Sequence, residues 1–148
     1  MNVKASAKLG SGIMPACMTI WKQEDQSYDR KGQEAYLRWL LDNGVHSLSI
    51  CGSTGENLAM NFEEQKEIIE HICGFVGGQV PIYVGSGQYS TVNTIRLSQW
   101  AEKCGADGVM VILPFYFNPH KKAVMEHFRE LRRELGIHIM IYNNPWFA

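Results

Sequence analysis

The sequence predicts an α/β protein built on parallel strands, and three observations predict it. From Ile13 onward, short apolar runs alternate with longer stretches of helical period. The runs are rich in Val, Ile, Leu or Met and are bounded by Gly, Pro, Asn or Ser, as strands of a buried parallel sheet are. Their starts recur roughly every 30 residues, the length of one strand, loop and helix unit.

Five strands are expected, at residues 13–20, 45–51, 81–86, 108–113 and 137–142. Between the first two, Tyr36, Leu37, Leu40 and Leu41 repeat at helical spacing, with Asp29 placed as N-cap and Gly44 where a C′ glycine ends a helix. The second helix opens Asn61-Phe62-Glu63-Glu64, a capping box, and offers Ile68, Ile69, Ile72 and Val76 to the core. Ser90 caps the third, which runs to Cys104 and stops at Gly105. The fourth has Pro119 near its first turn, then Val124, Phe128, Leu131 and Leu135 on one stripe, with Gly136 beyond its end. No linker or low-complexity tract interrupts the series, so residues 1–148 read as a single domain.

With 148 residues and 45% hydrophobic content, the chain has enough apolar material for one core. Lys+Arg 14 against Asp+Glu 15 leaves a formal charge of −1, and no basic run stands out, so nucleic acid and membrane surfaces find no electrostatic partner. No apolar stretch approaches the ~18 residues of a membrane span, and residues 1–12 lack the apolar centre of a signal peptide. The expectation is a cytoplasmic protein whose partners are small molecules or further copies of itself. Cys17, Cys51, Cys73 and Cys104 form no C-x-x-C pair and are expected to be buried, reduced thiols.

Loops that follow the carboxyl ends of parallel strands share one rim, where sites are built. These loops are the unusual parts of the sequence: Gly52-Ser53-Thr54-Gly55-Glu56, then Gly85-Ser86-Gly87-Gln88, then Pro114-Phe115-Tyr116-Phe117, then Asn143-Asn144-Pro145. In the first, two glycines let main-chain N–H groups and the Ser53 and Thr54 hydroxyls converge on an anion such as a carboxylate; a plain glycine-bounded turn is the alternative. Glu56 reads as a support of that loop through its side chain ahead of a general base. Tyr142 ends an apolar strand, where its phenol can reach a cavity and relay a proton, or the ring can simply pack in the core. Phe115, Tyr116 and Phe117 can line a pocket, meet a neighbouring subunit or fill space.

Other signals exclude more than they suggest. Gly85-Ser86-Gly87 lacks the third glycine of a dinucleotide fingerprint and follows the wrong strand for one. The five histidines have no H-E-x-x-H or comparable spacing, so no metal site is expected, and no cofactor is assigned. Trp21, Trp39 and Trp100 are assigned to packing.

These loops, in this order, resemble the pyruvate-type class I aldolase family that includes dihydrodipicolinate synthase and N-acetylneuraminate lyase. Gly52-Ser53-Thr54-Gly55-Glu56 with the helix opening at Asn61 resembles its G-T/S-T-G-E signature, Pro114-Phe115-Tyr116 its P-Y/F-Y element, and Tyr142-Asn143-Asn144-Pro145 its Y-N-x-P strand end. The resemblance implies the N-terminal part of a (β/α)8 barrel, about five strands and four helices of it. It further implies a lyase, aldolase or related synthase that joins or splits a 2-oxo acid and an aldehyde through a lysine Schiff base. Ser53 and Thr54 would hold the carboxylate, with Ser53 also in a hydroxyl relay. Tyr142 would transfer the proton, and Tyr116 would be the relay tyrosine inserted into the neighbouring subunit of a homo-oligomer.

Two departures qualify the resemblance. No lysine follows Lys122, and Lys121 and Lys122 open a helix, so the sixth-strand nucleophile is absent from these residues and the chain alone is expected to be inactive. Where synthases proper carry an arginine two residues after the Y-N-x-P proline, Phe147 stands here, which ranks a sugar-acid or other 2-oxo-acid lyase above the synthase. The competing readings are a self-associating half-barrel without enzymatic activity and a module that binds an anion without turnover.

Overall fold

A computed structural model describes residues 12–116 and 119–146. The expected roles of Phe117 and Phe147, and the reading of residues 1–11, lie outside the described residues. Four parallel strands form one sheet in sequence order: β1 Leu48–Ile50, β2 Ile82–Gly85, β3 Gly108–Ile112 and β4 His138–Tyr142. Helices α1 Arg30–Asp42, α2 Phe62–Val76, α3 Thr91–Lys103 and α4 Lys121–Glu134 alternate with them. This is the strand-helix succession that builds one side of a (β/α)8 barrel.

The expected first strand is reduced to a parallel bridge, Ala16 opposite Ser49. Two ladder bonds form, Cys17 N–H to Ser49 C=O at 2.8 Å and Ser49 N–H to Pro15 C=O at 3.1 Å. Beyond them the backbone is drawn off by side chains and the following turn. Ile20 N–H donates to Gln33 Oε1 at 2.9 Å and the Gln33 amide reaches Met18 C=O at 3.3 Å. The segment then folds into a small hairpin with Trp21 opposite Tyr28, which the sequence reading did not foresee.

The helix ends follow local chemistry. Asp29 Oδ1 accepts from Gly32 N–H at 3.0 Å. Asn61 Oδ1 accepts from Glu63 and Glu64 N–H, both at 3.0 Å, while Glu64 Oε2 accepts from Asn61 N–H at 2.7 Å, closing the capping box. Ser90 caps α3 through Asn93 N–H at 3.2 Å. At α4 the cap is His120, whose Nδ1 accepts from Lys122 N–H at 3.2 Å, and Pro119 lies just before that cap.

The core lies between the helices and one face of the sheet. Leu48, Ile50, Ile82, Val84, Val109 and Val111 share this core with the expected helix stripes, among them Leu37, Ile69, Ile72 and Leu131, and with Leu97 of α3. Each such side chain contributes about 1.5–3 kcal/mol when fully buried. Trp39 is a correction, since it falls between Leu37 and Leu40, off that stripe, and is 60% exposed. The opposite face carries a row in register across all four strands: Ser49, Tyr83, Gly108 and His138. Two levels further toward the strand ends, Tyr142 pairs with Ile112 on this same face. Cys17, Cys51 and Cys73 are buried free thiols, each pushed up to about 12 by loss of solvation.

Candidate active-site rim

The 52–56 loop leaves the end of β1 under two backbone constraints. Cys51 and Glu56 both take left-handed conformations, with φ of 52° and 58°. Between them Gly55 N–H bonds to Gly52 C=O at 3.0 Å and Glu56 N–H to Ser53 C=O at 3.0 Å. The result is a compact double turn that leaves Ser53 and Thr54 exposed at its tip. Space is tight at Gly55, where an added Cβ would meet Cys17 O at 3.1 Å and Cys51 N at 3.3 Å. Gly85 permits the close approach of β1 and β2 beneath the loop; a Cβ there would lie 2.2 Å from the Cys51 carbonyl oxygen.

Glu56 supports the loop through its main chain. Its N–H closes the turn and its C=O accepts from Ala59 N–H at 2.9 Å, while its side chain is exposed and, among the described residues, takes no hydrogen bond. The expected side-chain support comes instead from Thr19, whose hydroxyl donates to Gly55 C=O at 2.8 Å, and from Gln65, whose amide donates to Asn57 C=O at 2.7 Å. Gln65 was detectable as a polar residue on the apolar stripe of α2, three and four positions before Ile68 and Ile69. Thr19 carried no such signal.

Tyr142 is the last residue of β4 and is 37% exposed. Its phenol oxygen accepts from Asn144 Nδ2 at 3.1 Å, and Asn144 Oδ1 accepts from Trp146 N–H at 3.1 Å, so the turn after the strand steadies the ring. The phenolic hydrogen stays available as a donor. Tyr116 follows β3 with a φ of 78° and is 80% exposed, and Phe115 beside it packs on Tyr89 with ring centroids 4.8 Å apart. Because all four strands are parallel and in sequential register, Ser53, Thr54, Tyr116 and Tyr142 stand at the same edge of the sheet. Ser53 and Thr54 are at one end of the row and Tyr142 at the other, with the loops of β2 and β3 between.

Among the described residues no group of three His, Cys, Asp or Glu side chains is placed to hold a metal ion, and no helix is long and apolar enough to cross a membrane. A hydroxyl-bearing turn and a phenol on the rim of a parallel sheet, with helices covering the other face, define part of a (β/α)8-barrel protein. The chain belongs to the dihydrodipicolinate synthetase family, whose model matches residues 9–147.

Individual relatives agree. The chain is 37% identical over 135 residues to the 4-hydroxy-tetrahydrodipicolinate synthase of Methanoculleus marisnigri, a match over 90% of this chain and 46% of that protein. It is 36% identical over 134 residues to the same-named enzyme of Brucella abortus, covering 90% and 45%. Among solved structures it is similar to YagE, a prophage protein of the dihydrodipicolinic acid synthase family from E. coli K12 in complex with pyruvate. That match has a TM-score of 0.91 at 33% identity, over 94% of this chain and 46% of YagE. Dihydrodipicolinate synthase from Aquifex aeolicus gives 0.88 at 31% identity, covering 92% and 46%. The chain therefore spans about half the length of the relatives it matches, and its fold is that half of their barrel.

Proposed function

We propose that these residues form the carboxylate-binding and proton-transferring part of a lyase or aldolase acting on pyruvate or another 2-oxo acid. The observation that supports the reading is the shared rim: the 52–56 turn and the Tyr142 phenol project from the same ends of the same parallel sheet. In this reading Ser53 and Thr54 bind the acid's carboxylate through hydroxyls and turn amides. A neutral lysine amine, from residues beyond these 148, adds to the ketone and water leaves, giving the imine. Tyr142 moves the protons of that exchange, Ser53 joins the hydroxyl relay, and Tyr116 completes the relay in the neighbouring subunit of a homo-oligomer. The enzyme is read as cytoplasmic, in keeping with its free cysteines.

Trapping tests the mechanism. With pyruvate and borohydride, the 148-residue chain gains no stoichiometric adduct, because no lysine follows Lys122. A longer chain that includes a sixth strand with its lysine gains the mass of one reduced pyruvate imine per subunit. Specific single-site labelling of the 148 residues, or failure to label the folded longer chain, overturns it.

A second reading, a self-associating half-barrel without turnover, draws on one observation. β4 pairs only with β3 among the described residues, and Ile141, in register with Val111 on the helix side of the sheet, is 56% exposed. Sedimentation of the 148-residue chain at several concentrations is the measurement; a stable dilute monomer removes this reading.

A further inference from the structure

Helix α2 carries an amide on its buried stripe, and that amide ties two rim loops together. Gln65 is 3% exposed, a costly place for a polar side chain unless its hydrogen bonds are made. They are made on both sides. Its Nε2 donates to Asn57 C=O at 2.7 Å and Met60 C=O at 3.3 Å, and its Oε1 accepts from Gln88 Nε2 at 2.7 Å. Gln88 is itself fixed, since its backbone N–H donates to Thr94 Oγ1 at 3.1 Å while the Thr94 hydroxyl bonds to Ser90 C=O at 2.9 Å at the start of α3. At the other end Asn57 N–H bonds to Gly52 C=O at 3.3 Å. One hydrogen-bonded path thus runs from the first turn of α3, through Gln88 and Gln65, to the base of the 52–56 loop.

That loop needs an external hold. Cys51 just before it and Glu56 at its end sit in left-handed conformations that a side chain disfavours, so the double turn is not the loop's own preference. We propose that Gln65 and Gln88 form a positioning clamp, which keeps the Ser53 and Thr54 donors in their anion-binding arrangement before any ligand arrives. Neither glutamine touches the ligand. Their effect is on affinity, because donors already in place do not have to be ordered on binding. The inference rests on the reading of this loop as the carboxylate site.

The order of action makes the clamp testable on the 148-residue chain. Gln88 works through Gln65, so Gln65→Leu should speed amide hydrogen exchange at Gly55, Glu56 and Asn57 by about tenfold, the scale of one lost hydrogen bond. Gln88→Leu should produce a smaller rise, and the double variant should match Gln65→Leu alone. Exchange at Ile69 and Ile72, further along α2, should be unchanged in all three. Titration with pyruvate, followed at the Ser53 and Thr54 amides, should show binding weakened about tenfold in Gln65→Leu with the same end-point shifts at saturation. Unchanged loop exchange in Gln65→Leu, or strictly additive effects in the double variant, overturns the clamp. If Gln65→Leu loses its fold, Gln88→Leu carries the test, and equal loop exchange in it and the parent overturns the clamp. If pyruvate leaves the parent's Ser53 and Thr54 amides unmoved, the carboxylate reading fails, and the exchange results still decide the clamp.

Discussion

The two ends of the sheet treat their loops differently. At the β1–β2 end, the 52–56 turn is bonded by Thr19 from the preceding segment and by its own double turn, and Gln65 from α2 holds the adjoining Asn57, whose N–H bonds to Gly52 C=O. At the β3–β4 end, side chains of the same rim reach outward, with Tyr116 80%, Tyr142 37% and Trp146 92% exposed. The loop proposed to bind the carboxylate is therefore braced by side chains from the preceding segment and from α2. At the other end the Tyr142 phenol takes one hydrogen bond, from the Asn144 side chain in the turn that follows its own strand. The two loop regions that the proposed function assigns to binding and to proton transfer thus differ in how far neighbouring side chains brace them.

Substitutions can break or sharpen that contrast. The largest effect is expected at Gly85, where even a methyl group collides with the Cys51 backbone. Gly85→Ala should lower unfolding free energy by about 3 kcal/mol in urea titration. A near-neutral result would mean that the strands beneath the loop are less tightly closed than their approach indicates. Next comes Thr19→Val, which leaves the Gly55 carbonyl without its hydroxyl donor and should cost about 1 kcal/mol, with faster exchange confined to the loop.

At the α3–α4 seam the handle is pH. His127 is 5% exposed, bonded through Nδ1 to Thr91 Oγ1 at 2.9 Å, and burial holds its pKa below the ordinary 6.5. The unfolded chain then binds the proton first as pH falls. Stability from this group is complete above about pH 6.5 and declines as pH drops from there to the lowered value, by at most about 1.4 kcal/mol per pH unit. His127→Gln should flatten the dependence of the urea midpoint over that window; an unaltered slope would assign it to other groups. The smallest effect is expected for Tyr142→Phe. It removes an exposed hydrogen bond and should shift stability by less than about 0.5 kcal/mol. The same change in a longer, imine-forming chain should slow turnover by about 100-fold or more if the phenol transfers the proton.

Where the sequence was legible, a residue's role depended on its immediate neighbours. The capping box at Asn61 and Glu64, the caps Asp29 and Ser90, and the ends of the helices at Gly44 and Gly105 are of this kind. So is the alternation of strand and helix, and with it the shared rim of the four candidate residues. What was not legible was decided by partners distant in sequence. Residues 13–20 have the composition of a strand, yet Gln33 takes over the backbone groups that would have extended the ladder. Trp39 has the chemistry of a core residue and the wrong phase for one. Glu56 was assigned a side-chain role that Thr19 and Gln65 perform.

The burial of the thiols gives the molecule internal reporters. Cys51 lies at the foot of the 52–56 turn and Cys73 inside α2, both enclosed and held protonated at neutral pH. A thiol reagent in solution can reach either only when that region opens and the sulfur ionises. The rates at which the two become alkylated therefore time separate openings within one chain, and their ratio tells whether the turn loosens ahead of the helix beneath it or only together with it.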